Sequence, residues 1–375
     1  MLFGEGDKSL SNEISDKYTI SPHLIVFPLY VSMVGVGILT YERRVIEHAG
    51  YNAWISVMIT GISMHFLIWM LYKILSSIDD SRDIVTINHK LFGKFFGNLI
   101  NFAIVLYFVF GAFIKFKVYM EMIQVWFFPS MNFLPVSIVI LLLVYYAVSG
   151  GIRSVTGIAV WATIISCVSI IPQVLLTFPF LYPMNLLPLL NHSASDILLS
   201  SKDMAFEYLG VETLLFLYPF VRTPEKSQKW AHLIMILVTL LYLMILILAF
   251  MFFTEEQLRH TIWPTLNMIG IFEVPLLQRL EYLAISLWFI KIIAGISIFI
   301  WAACRGMKIA FHLRPRISLI VFLTAITALS HFIIDHRTVE RVSEIYSNVG
   351  LYFLYAYIPF VFLCVMIRRK LTGPI

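Results

Sequence analysis

Ten long apolar segments constrain this chain more than any single motif. They run roughly over 21–42, 49–78, 98–128, 134–150, 156–181, 203–221, 229–253, 280–304, 315–334 and 345–367. A bilayer core takes about 20 apolar residues per helical span, so the segments predict an all-α integral membrane protein with about ten transmembrane helices. Composition agrees: 60% of the 375 residues are hydrophobic and only 13% charged, with a mean hydropathy of +0.87. Soluble domains carry about 25% charged residues. The three cysteines, Cys167, Cys304 and Cys364, lie in apolar runs without metal or disulfide spacing and read as small packing residues.

The polar stretches between segments set topology. They cover 79–97, 182–202 (room for a short surface helix) and 254–279, where charge mixed with Trp263-Pro264 and Pro275 suggests an amphipathic interfacial piece. With the N-terminus inside, most loop lysines and arginines fall on the cytoplasmic side, among them Lys73, Arg82, Lys90, Lys94, Arg222, Lys226, Lys229, Arg305, Arg314 and Arg368. Arg43, Arg44, Lys202, Arg259, Arg279, Arg337 and Arg341 fall on the other side. The positive-inside rule therefore puts both termini in the cytoplasm. The expected parts are an N-terminal tail 1–20, a membrane domain 21–367 and a C-terminal tail 368–375. This loop asymmetry accounts for the net charge of +5 without a nucleic-acid partner.

Two interruptions stand out. Val34-Gly35-Val36-Gly37 sits inside the first segment and Tyr208-Leu209-Gly210-Val211-Glu212 inside the sixth, half a chain apart. Glycine in a helix interior costs about 1 kcal/mol relative to alanine and tolerates unwound backbone. Five spans per half is an odd number, so the second half (203–367) inserts upside down relative to the first (21–181). Glycine-broken helices at matching positions of inverted halves mark a transporter-type site. Unwound backbone in a bilayer must line a polar cavity. Its freed N–H groups suit a carboxylate and its carbonyls suit an ammonium, so two crossed breaks make a receptor for a zwitterion. Close helix packing is the competing reading of the glycines.

Glu212 lies mid-span, where an ionisable residue points to function. Lys291, mid-way along the eighth segment, is its candidate partner or a site residue in its own right. Tyr107 and Tyr208 are aromatic candidates for the lining. The expected ligand-binding set is thus Val34, Gly35, Val36, Gly37, Tyr107, Tyr208, Gly210, Val211, Glu212 and Lys291. Lys115, Lys117 and Glu121 read as an i,i+4 group snorkelling to the outer interface. His331-Phe332-Ile333-Ile334-Asp335-His336 fits neither an acyltransferase nor a metal motif. No enzyme, metal or cofactor is expected.

Taken in order, several motifs resemble the endospore germination permease family, the B subunits of spore germinant receptors, within the amino acid–polyamine–organocation superfamily. They are Gly35-Val36-Gly37-Ile38-Leu39, Ala49-Gly50-Tyr51-Asn52-Ala53-Trp54, Leu91-Phe92-Gly93-Lys94, Asn185-Leu186-Leu187-Pro188, Phe206-Glu207-Tyr208-Leu209-Gly210-Val211-Glu212, Tyr218-Pro219-Phe220 and Leu277-Gln278-Arg279-Leu280-Glu281. Departures include Tyr41-Glu42 in place of a proline, Asn52 in place of an acid, and Lys117 where arginine is usual. The resemblance implies a LeuT-like fold of 5+5 inverted helices with helices one and six broken. It also implies a small nutrient ligand such as an amino acid, A and C receptor subunits as partners, and the spore inner membrane as location. The competing function is a proton- or cation-coupled amino acid transporter.

Overall fold

The computed structural model describes residues 18–77, 83–130, 132–187, 190–270, 280–333 and 335–372. Arg82, Pro188, Pro275, Leu277-Gln278-Arg279 and Ile334, used above, lie outside them. Helix one is α1 (Val26–Met33), entered through a 3-10 turn at Pro22–Ile25, followed by a break and α2 (Tyr41–Ala49). Helices two to five are α3 (Ala53–Leu75), α4 (Ile84–Trp126), α5 (Phe133–Ser149) and α6 (Gly151–Thr177). Helix six begins with α7 (Ala194–Ala205) and resumes after its break with α8 (Leu214–Leu217). Then come α9 (Pro224–Phe252), the short α10 (Glu255–His260) and α11 (Pro264–Gly270), α12 (Leu280–Phe311), α13 (Pro315–Phe332), and α14 (His336–Tyr352) running through a π turn into α15 (Ile358–Thr372).

Seven of these helices are long and apolar enough to cross a membrane. Three shorter apolar pieces, Pro22–Met33, Phe133–Ser149 and Val211–Phe220, complete the ten. Two of the three belong to the broken helices, which is why each is too short to span alone. Apolar side chains such as Phe66, Trp69, Leu142, Trp161 and Val321 are exposed on the outside of the bundle, where lipid covers them.

The repeat is visible in the packing. Each of the first four helices packs on its counterpart in the second half: α2 on α7, α3 on α9, α4 on α12, α5 on α13. The centre belongs to α12, which touches α1, α4, α5 and α6.

Several boundaries differ from the sequence expectation, for one reason. Helix six starts at Ala194 rather than 203, because Ser193 and Asp196 form a reciprocal capping box. The outer part of helix one, α2, carries Glu42, Arg43, Arg44, Glu47 and His48, so it reads as loop by hydropathy. Residues 84–92 are helical and fold back at Gly93 (φ 77°), held by Asn88–Asn101 and His89–Asn98 side-chain bonds. The C-terminal Arg368, Arg369 and Lys370 belong to α15 rather than to a tail.

Candidate binding site at the crossed breaks

The helix-one break is two residues of extended chain. Val34 (φ −83°, ψ 91°) ends α1 and Gly35 (φ −104°, ψ −150°) precedes a 3-10 turn over Val36–Leu39. In helix six, α7 tightens into a 3-10 turn at Phe206–Tyr208, Leu209 is extended, and Gly210 has φ 128° before the turn Val211–Thr213. Only glycine adopts that φ without strain.

The breaks fit into each other through their glycines. A side chain on Gly210 would run into the Ser32 carbonyl of helix one, and one on Gly37 would run into the Glu207 carboxylate of helix six. The two interruptions therefore cross, as the spacing of the sequence suggested.

The buried charges organise around this crossing. Glu212 is fully buried. Tyr107 donates its hydroxyl to one carboxylate oxygen at 2.7 Å, and the Gly210 N–H donates to the other at 2.8 Å. Tyr107 is held in turn by ring stacking on Phe353 and Tyr346. Lys115 donates to the Ser32 carbonyl at 2.7 Å and lies over the Phe299 ring. Its Nζ is 3.4 Å from where a Gly35 side chain would begin, within electrostatic reach of Glu212 and Glu207. Glu207 is itself buried and paired with Arg44 of α2.

Two expectations are corrected here. Lys291 does not pair with Glu212. It is 1% exposed, donates to the Tyr30 hydroxyl at 3.5 Å and sits over the Trp288 ring. Nor does Lys115 snorkel outward. Its neighbour Lys117 is buried and reaches the Ser330 carbonyl, whereas Glu121 pairs with the exposed His336 at the surface. Tyr208 is buried but donates to Thr239 of α9, a packing role at the edge of the site. Val34, Val36 and Val211 are buried in the walls of the crossing. Lys115, Glu207 and Arg44 are the residues the sequence reading left out. The available signals were the positions of Lys115 and Glu207 within the third and sixth apolar segments.

Burial differs between the two sides of the crossing. Gly37, Thr40, Arg44, Lys115 and Phe206 are half-buried on the α2–α7 side. On the opposite side, Ile20 and Val221 pair as a β-bridge, with the Ile20 N–H donating to Phe220 and the Arg222 N–H to Ile20. Trp301 and Arg305 pack over Phe220. Among the described residues no group of three or more metal-ligating side chains occurs.

A family model described as a spore germination protein matches residues 19–339. The chain belongs to the spore germination protein family. It is 33% identical to spore germination protein GerQB of Bacillus cereus over 365 residues, 96% of this chain and 99% of that one. Its fold is shared with solved transporters. Mhp1, a nucleobase–cation–symport-1 family transporter in a closed conformation with bromovinylhydantoin bound, has a TM-score of 0.64 at 10% identity, covering 97% of this chain and 82% of that one. A Na+-coupled sialic acid symporter in a substrate-bound outward-open state gives 0.60 at 9% identity, covering 95% and 79%. The chain is thus a multi-pass membrane protein of the germination permease type with a LeuT-like transporter fold.

Proposed function

We propose that this chain is the B subunit of a spore germinant receptor in the spore inner membrane, both termini cytoplasmic, working with A and C subunits. It binds a small nutrient, an amino acid, where the two broken helices cross. The observation that carries this reading is the pairing of an uncapped helix start with a half-buried cation. No side chain caps the turn Val36–Leu39, so its first N–H groups are free of intrahelical partners, and Lys115 stands beside Gly35. A ligand carboxylate satisfies both. The ligand ammonium faces the acidic side of the crossing, formed by Glu207 and Glu212.

The bridge at Ile20–Val221 ties one side of the bundle, and the half-buried residues of the α2–α7 side support entry of the ligand there. A ligand that binds one arrangement of α1 and α7 better than another shifts the balance by that affinity difference alone. That shift is the signal passed to the partner subunits. The whole-chain likeness to two symporter folds supports a second reading, a proton- or cation-coupled amino acid transporter. A germinant screen of spores lacking this gene, and of the restored strain, tests the receptor reading. It predicts loss of response to one amino acid class, restored by the gene. Concentrative uptake of a labelled amino acid by this chain alone in proteoliposomes supports the transporter.

A further inference from the structure

Glu42, in the outer half of helix one, is fully buried yet lies outside the crossing described above. Its Oε1 is hydrogen-bonded to the Thr265 hydroxyl of α11, and its Oε2 has no partner among the described residues. Thr265 Oγ1 also lies 3.3 Å from the Ile38 carbonyl oxygen. A hydroxyl has one hydrogen to give, and here it faces two acceptors. Both bonds form fully only when Glu42 itself carries a hydrogen and donates it to Thr265, which donates onward to Ile38.

The surroundings favour the neutral acid. Helix one, α11 and α12 meet in an apolar seam too tight to admit a water molecule, lined by Leu39, Leu266, Ile269, Ala284, Ile285 and Trp288. An ionised carboxylate beside it gains no solvation, and an uncompensated buried charge is costly. Among the described residues, the charges acting on Glu42 are those of Glu207 and Arg44, and these are paired with each other. On its own helix Tyr41 donates to the Tyr242 carbonyl of α9. From α10, Glu255 is paired with Arg259. From α12, Glu281 packs near Gly270 at the opposite end of α11. The segment Pro264–Gly270 carries no titratable side chain.

We infer that Glu42 is a proton-binding site, and that its bound proton latches α11 onto the outer half of helix one through the relay Glu42–Thr265–Ile38. Loss of the proton leaves Thr265 holding a bare buried carboxylate, and α11 lifts to let water reach it. The four oxygens here, two of them on one carboxylate, leave a sodium ion under-coordinated, which makes the proton the ligand of choice. The inference does not rest on the germinant reading, since it concerns this chain alone.

The test uses the purified full chain in lipid nanodiscs. Infrared difference spectra between wild type and Glu42→Gln at neutral pH should contain a protonated carboxyl C=O band assigned to Glu42. Thr265→Val should keep that band but move it to the position of a free carboxylic acid. A carboxylate band in place of the acid band, or one that follows added sodium, overturns the inference, as does a Thr265→Val spectrum with the band unmoved. Hydrogen exchange of the peptide covering 264–270 then reads the latch. The ratio of its rate in wild type to that in Glu42→Gln at matched pH should rise with pH, by up to about tenfold per pH unit for a one-proton step. A ratio flat across pH overturns the latch.

Discussion

The two breaks solve the same problem in opposite ways. In helix six the chain supplies its own anion: Glu212 reaches back two residues to the Gly210 N–H and its second oxygen is taken by Tyr107. In helix one no side chain caps the turn after Gly35, and a cation, Lys115, is fixed alongside on the Ser32 carbonyl. One break is filled from within, the other carries no such side chain. Glu212 therefore completes the scaffold of the crossing, and the proposed carboxylate contact falls to helix one.

Substitutions can break this comparison from either side. The largest effect belongs to Gly210→Ala, which must hold a side chain at φ 128° against the Ser32 carbonyl. The left-handed backbone costs about 1–2 kcal/mol and the overlap about 1–3 kcal/mol more. The variant should fail to accumulate in the membrane, read by immunoblot of spore membranes. Glu212→Gln keeps an acceptor for Gly210 but loses the charge facing Lys115. It should accumulate normally and raise the germinant concentration for half-response by roughly tenfold, for about 1–1.5 kcal/mol. Gly35→Ala is allowed by its φ of −104° and meets only the flexible tip of Lys115. Its dose–response curve should shift by only about two- to threefold, for about 0.5 kcal/mol. Lys291→Met should leave accumulation unchanged or improved. Among the described contacts its ammonium meets a tyrosine and a tryptophan rather than a carboxylate, and replacing such a buried charge by an apolar side chain of similar volume is often neutral or stabilising. A collapse of accumulation would show that Lys291 has a structural partner of opposite charge.

The architecture was legible in the sequence because bilayer thickness and helix rise leave few choices for ten apolar segments. Gly210 and Gly37 were legible because glycine in a helix interior needs a reason. Arg44 and Glu207 were harder to read. Arg44 sits on α2, the polar outer half of helix one, which hydropathy treats as a loop. Glu207 lies inside the sixth apolar segment, in the 3-10 turn that follows α7, but its ion pair with Arg44 joins residues far apart in sequence and leaves no local trace. For Lys115, sequence position gives depth along α4 but not which neighbour it meets. Only the crossing of α1 over α4 and α12 brings it to Gly35. Glu212 was legible as a buried acid, but its partner was not. Tyr107 is a hydroxyl on another helix, and a lysine was the more obvious guess.

The central claim is that helix one takes the ligand carboxylate with Lys115. The direct measurement is the germination dose–response of Lys115→Met spores to the amino acid identified by the deletion screen, alongside the amine that lacks its carboxylate. Losing a charge-assisted hydrogen bond is worth about 1.5–3 kcal/mol, so half-response should move by roughly ten- to a hundredfold for the amino acid. The weak response to the amine should not move. An amino acid curve superimposable on wild type, with the variant present at normal level, would contradict the account.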